Sequence, residues 1–117
     1  DVLLIYAEAS NKAEGSPNTL AYKCLNRVRD RAFGDQSHQY AGLTPEKFAD
    51  AVFDEFGWEN VFEFKRWFQL VRTEKVDEAI GKNAAIGARL NANKENYLFP
   101  IPVRQCELRG WKNNPGY

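Results

Sequence analysis

The 117-residue chain is 44% hydrophobic and 27% charged, a balance that suits one folded domain and excludes a disordered tail. Its 16 Lys and Arg are matched by 16 Asp and Glu, so the formal net charge is zero and the cationic excess behind sequence-independent nucleic-acid binding is missing. No apolar run approaches the ~20 residues needed to cross a bilayer as a helix.

Asp1 leads straight into VLLIYAEA and methionine is absent, so the beginning reads as that of a piece excised from a longer protein. The first predicted helix spans about Asp1 to Ala13. Val2, Leu3, Leu4, Ile5, Tyr6, Ala7 and Ala9 leave it little polar surface. A helix that is apolar nearly all round needs neighbours on several sides. EGSPN stops it, with Gly15 in the left-handed C-terminal position, Ser16 as a cap and Pro17 in the first turn of the next helix.

That second helix runs to about Ala32. Ala21, Cys24, Leu25, Val28 and Ala32 form one apolar stripe at helical spacing. Two helices joined by so short a turn pack as an antiparallel hairpin resembling one tetratricopeptide unit. Residues 33–43, FGDQSHQYAGL, read as a loop. His38 is the sole histidine and has no Cys, Asp or Glu cluster around it, so no metal site is expected. Tyr40 reads as a loop anchor, with stacking on a sugar as the other role for such a ring.

Thr44 caps a third helix, with Pro45 at its first position and Glu46 beside the positive end of the dipole. Phe48, Val52 and Phe56 repeat every four residues. Gly57 marks a bend or a close approach, and Trp58, Val61 and Phe62 carry the apolar pattern onward. Stepping about 100° per residue gathers Phe64, Trp67, Phe68 and Val71 on one stripe, which predicts rings facing a helical interior. Lys65, Arg66, Gln69 and Arg72 fall elsewhere, giving a basic outer face. Nucleic-acid platforms need bases and rings on the same face, so none is expected.

Thr73 is expected to cap a short helix with Ala79 and Ile80 inward and Gly81 at its end. Residues 82–96 read as a loop with one helical turn. In YLFPIP, Pro100 and Pro102 forbid helix and impose an extended hydrophobic strap across the helices. A short helix follows over Val103 to Leu108, Trp111 is expected to pack under the final turn, and NNPGY closes the chain as that turn. Cys24 sits on an apolar helical face and reads as a buried free thiol, with a Cys24–Cys106 disulfide as the other state.

Glu55, Glu59 and Glu63 are spaced by four. A carboxylate pair for glycoside cleavage needs two groups facing each other across a sugar, usually from different elements. One helix flank supplies neighbours, so the row reads as a structural network with Arg27, Arg29 and Arg31 of the second helix and with Lys65 and Arg66. No catalytic residue and no cofactor motif is nominated.

The ordered set DVLLIYAEA, LNRVRDRA, LTPEKFADAVFDEFGWENVFEFKRWFQLVRTEK, NYLFPIP and NNPGY resembles the C-terminal portion of the SusD/RagB family. That family's pattern E-x-x-x-E-x-x-x-E-G-x-R-W-F-D-L is matched by Glu55, Glu59, Glu63, Arg66, Trp67, Phe68 and Leu70. Phe64 stands where glycine is usual, and Gln69 where aspartate is usual. The resemblance implies a mostly α fold of tetratricopeptide-like helical hairpins with an extended, Pro-containing C-terminal segment, residues 1–117 forming a single domain cut from a larger protein. It implies a non-enzymatic, lipid-anchored nutrient-binding protein on the outer-membrane surface. Such a protein works with a TonB-dependent, SusC-like transporter and binds oligosaccharide through the N-terminal part that this chain lacks. No ligand residue carries over, and neither Cys24 nor Cys106 sits where a lipidated cysteine would. The alternatives are a free-standing tetratricopeptide-like interaction module and, from the acidic row, a hydrolase.

Overall fold

A computed structural model describes residues 1–81 and 94–117, and among these the regular structure is helical, with no strand. Of the loop expected over 82–96, residues 82–93 lie outside the described residues, as does the side chain of Ile80. The chain divides into two compact units, Asp1–Arg66 and Trp67–Tyr117, and each is taken by itself.

In the first unit, α1 (Val2–Glu14), α2 (Thr19–Phe33) and α3 (Pro45–Glu59) pack on one another. Gly15 ends α1 at φ 71°, the left-handed conformation expected of it. The next cap is Asn18 rather than Ser16. Asn18 Oδ1 accepts from the Ala21 amide at 2.8 Å, and its Nδ2 donates to Ser10 Oγ and Glu14 Oε1, both at 2.8 Å, so one amide ties the end of α1 to the start of α2. Thr44 caps α3 as expected, with Pro45 in the first turn. Asn11 Nδ2 reaches from α1 to the Pro45 carbonyl at 2.9 Å.

The core of this unit is Leu4 and Ala7 from α1, Ala21, Cys24, Leu25 and Val28 from α2, and Phe48, Ala51 and Val52 from α3. The α2 stripe is therefore as expected except at its end, where Ala32 is exposed and lies outside the core. Tyr22 meets Phe48 edge to face, ring centroids 4.9 Å apart. The apolar character of α1 is only partly used here: Leu4 and Ala7 are buried, while Val2 and Ile5 are open to solvent.

The chain departs from expectation after α3, which stops at Glu59. Residues 60–65 form a turn, and α4 (Arg66–Arg72) starts a separate helix. Phe62 and Phe64 both have left-handed backbone, φ 65° and 58°. Phe64 sits where the resembled pattern carries glycine, and its backbone keeps the conformation glycine would take there. The helical register assumed across 58–71 is broken at those two residues, so Phe64 does not join Trp67, Phe68 and Val71 on a buried stripe. Phe64 is 88% exposed and Phe68 64% exposed, Trp67 and Val71 are half-buried, and no residue of α4 is fully buried.

Arg66 is also corrected. Instead of lying on a basic outer face, its Nη1 donates to the Phe53 carbonyl at 2.7 Å and its guanidinium lies over the Phe53 ring at 4.0 Å. A β-carbon at Gly57 would come within 2.9 Å of that guanidinium, so glycine there leaves the Arg66 head group its place over α3. Burial pushes the Arg66 pKa down, and Asp54 pulls it back.

In the second unit, Thr73 closes α4 rather than capping the next helix. Its hydroxyl donates to the Gln69 carbonyl at 2.8 Å, and α5 (Val76–Gly81) starts three residues on, with Val76 fully buried. A 3-10 turn covers Lys94–Tyr97 and α6 covers Val103–Arg109. After Tyr97, which ends the 3-10 turn, the LFPIP stretch is non-helical as its prolines require. It is held by the NNPGY turn. Asn113 Oδ1 accepts from the Ile101 amide at 2.7 Å, Asn113 Nδ2 donates to the Ile101 carbonyl at 3.2 Å, and Asn114 Nδ2 donates to the Phe99 carbonyl at 2.6 Å. Phe99 meets Trp67 at a centroid distance of 6.0 Å, but Leu98 and Phe99 remain largely exposed, and Trp111 is exposed rather than packed.

Removing Leu25 atoms leaves a cavity in the first unit, so Leu25→Ala is expected to cost about 2–5 kcal/mol, whereas Leu20→Ala on the open side of α2 stays within about 0.5 kcal/mol. Urea denaturation of the two variants checks the contrast.

Candidate functional site

The residues with chemistry in the first unit gather where α2 faces the 34–44 loop and α3. Arg29 is their centre. Its Nη1 donates to Glu55 Oε2 at 2.7 Å, and both side chains are almost fully buried. Its Nε donates to the His38 carbonyl at 2.7 Å. Its guanidinium lies 4.1 Å from the Tyr40 ring centroid and 5.2 Å from that of Phe33. Phe33 in turn stacks on the His38 ring at 3.9 Å. Tyr40 thus anchors its loop, and one of its ring faces is covered by Arg29.

The loop is gripped along its backbone by one row of α2. Tyr22 Oη accepts from the Leu43 amide at 2.7 Å and donates to the Leu43 carbonyl at 3.2 Å. Asn26 brackets Tyr40, accepting from its amide at 2.8 Å and donating to its carbonyl at 2.9 Å. Arg29 takes His38. These residues were not singled out together from the sequence, yet the signal is there: positions 22, 26 and 29 follow the i, i+4, i+7 rule and run beside the apolar stripe. A row of long hydrogen-bonding side chains at that spacing fits a helix that must hold irregular backbone.

The acidic row resolves into pairs. Glu55 holds Arg29, and Glu59 Oε1 accepts from Arg31 Nη2 at 2.6 Å. Glu63 is not on the α3 flank, because the helix has ended. It pairs with Lys65 at 2.7 Å, which holds its carboxyl below the ordinary glutamate range. The Glu–Arg network therefore joins α3 to α2 through Arg29 and Arg31. Arg27 is not in it; it lines a groove instead.

That groove, of about 390 Å³, is lined by residues of α2 and the loop, among them Tyr22, Lys23, Asn26, Arg27, Asp30 and Gln39. Most of its polar atoms already serve the fold. The Tyr22 hydroxyl and the whole Asn26 amide hold the loop, and Gln39 Nε2 donates to both Asp30 oxygens at 2.9 Å. Besides Gln39, its exposed polar side chains are Thr19 and the cations Lys23 and Arg27. Among the described residues, no cluster of His, Cys, Asp and Glu could hold a metal, and Cys24 and Cys106 are both free thiols.

The model of the SusD family matches residues 1–117, the whole chain. The chain belongs to the SusD family. The SusD-like protein P2 of Formosa agariphila is 34% identical over 128 residues, covering 100% of this chain and 24% of that protein. The SusD-like protein P25 of the same organism is 38% identical over 110 residues, covering 93% of this chain and 20% of that protein. A crystal structure of a SusD superfamily protein from Parabacteroides distasonis aligns with a TM-score of 0.80 at 30% identity, covering 99% of this chain and 26% of that one. The chain thus spans about a quarter of the length of the relatives it matches, and the mostly helical fold is the fold of the family.

Glu55→Gln leaves the Arg29 charge buried without its counter-charge, so a loss of about 3–5 kcal/mol is expected, against about 1 kcal/mol or less for Glu59→Gln at the exposed pair. Thermal or urea unfolding of the two variants measures the difference.

Proposed function

We propose that this chain is a C-terminal portion of a SusD-like nutrient-binding protein that captures glycans at the outer-membrane surface and passes them to a TonB-dependent, SusC-like transporter. In this reading the chain is mainly scaffold. The parent is lipid-anchored through its own N-terminus, and it carries out no bond-breaking chemistry.

The observation that carries the reading is the match of the SusD family model to every residue of the chain. The local chemistry agrees with a scaffold role. Glu55 and Glu59, the pair a hydrolase would need, each face an arginine of α2 rather than an open cleft. In the groove beside α2 the Asn26 and Gln39 amides and the Tyr22 hydroxyl are engaged within the fold, which leaves chiefly Thr19, Lys23 and Arg27 to meet a ligand. A free-standing interaction module is disfavoured by the fourfold greater length of the relatives.

Calorimetric titration with a glycan panel tests the division of labour. The complete SusD-like protein is expected to bind a glycan, and the 117-residue chain to show no micromolar affinity for any. Micromolar binding by the chain alone would contradict the scaffold role.

A further inference from the structure

The turn that ends α3 holds large apolar side chains in solvent. Phe62 is 91% and Phe64 88% exposed, and Trp58 and Val61 beside them are more than half exposed. Both phenylalanines also carry left-handed backbone, which costs an L-residue about 1–2 kcal/mol each. Burying such a side chain is worth about 1.5–3 kcal/mol, and nothing in the first unit supplies that burial.

The turn is nevertheless tightly held. Asn60 Nδ2 and its amide both donate to the Phe56 carbonyl, at 3.0 and 3.2 Å, and the Glu63 amide donates to the Asn60 carbonyl at 3.1 Å. Lys65 Nζ reaches Asn60 Oδ1 at 3.2 Å, Asp1 Oδ2 at 2.7 Å and Glu63 Oε2 at 2.7 Å. Arg66 closes the far end on the Phe53 carbonyl. Strained backbone, fixed at both ends, presents rings that the unit itself does not cover. That is a pre-organised contact.

We propose that the Trp58–Phe64 turn is a docking surface, and that its occupant is an apolar surface of the remaining SusD-like polypeptide, folded onto it within one molecule. The inference rests on the reading of this chain as part of a longer SusD-like protein. Two observations select that occupant. The chain covers only 24%, 20% and 26% of the relatives described above, so about three quarters of their length lies beyond the match. The charges flanking the rings are already paired: Lys65 is neutralised by Asp1 and Glu63. An electrically quiet apolar patch suits a protein core contact and not an anionic lipid surface. The same pairing leaves few polar groups to take the hydroxyls of a sugar stacked on the rings.

The test is hydrogen exchange on the complete protein, with the exposed amides 35 and 36 of the same molecule as internal reference, because the Ser37 and Glu63 amides are already hydrogen-bonded in their own turns. Amides 61, 62 and 64 are expected to exchange at least about tenfold more slowly than amides 35 and 36. The Phe62→Gly/Phe64→Gly variant relieves the backbone strain but removes the rings, so the melting temperature of the complete protein is expected to fall. Equal exchange in the two turns, or a rise in melting temperature, would overturn the proposal. Protection of amides 61, 62 and 64 that appears only with added glycan, or only as concentration drives self-association, would also overturn it by naming a different occupant. Glycan binding is read separately, so a complete protein that binds sugar with an open turn sinks only this inference. One with a covered turn and no sugar binding sinks only the functional reading.

Discussion

One buried guanidinium organises the first unit. Arg29 sits on α2, its charge is met by Glu55 of α3, and its Nε–H and its flat face hold the His38–Tyr40 stretch of the connecting loop. A buried charge is tolerable only when paired and hydrogen-bonded, so the three elements must meet in one geometry for Arg29 to be satisfied. The apolar core of Leu4, Leu25, Phe48 and Val52 supplies the drive to pack. Arg29 supplies register, because a slip of α3 by one residue would carry Glu55 off the pair.

The same economy explains why the site region offers little chemistry. Side chains that would catch a ligand in another context, a tyrosine hydroxyl, an asparagine amide and two carboxylates, are engaged on loop backbone and arginines. What the unit leaves uncovered is apolar instead, the outer side of α1 and the rings of the turn after α3.

Much of this was legible in the sequence, and the misses have physical causes. The α1–α2 hairpin, the Thr44–Pro45 start of α3, the core stripe of α2 and the Glu–Arg pairing follow from spacing and capping rules that act within a few residues. The non-helical path through Pro100 and Pro102 was legible too, because proline breaks a helix anywhere past its first turn. The Phe64–Val71 stripe failed because an angular projection assumes unbroken helix, and left-handed phenylalanines are rare enough that no local rule predicts them. The resembled pattern carried the hint, since a usual glycine at position 64 marks such a backbone. Arg66 was misplaced for the same reason. The clasp of Asn113 and Asn114 on the strap is a contact across a dozen or more residues, which no periodicity reveals.

A double-mutant cycle on Arg29→Met and Glu55→Leu tests the central claim most directly. If the pair sets the packing of α2, the loop and α3, each single change is strongly destabilising and the double variant recovers much of the loss, with a coupling energy of about 2 kcal/mol or more. Single effects that add to within about 0.5 kcal/mol would show that the two groups act independently, and would contradict the account.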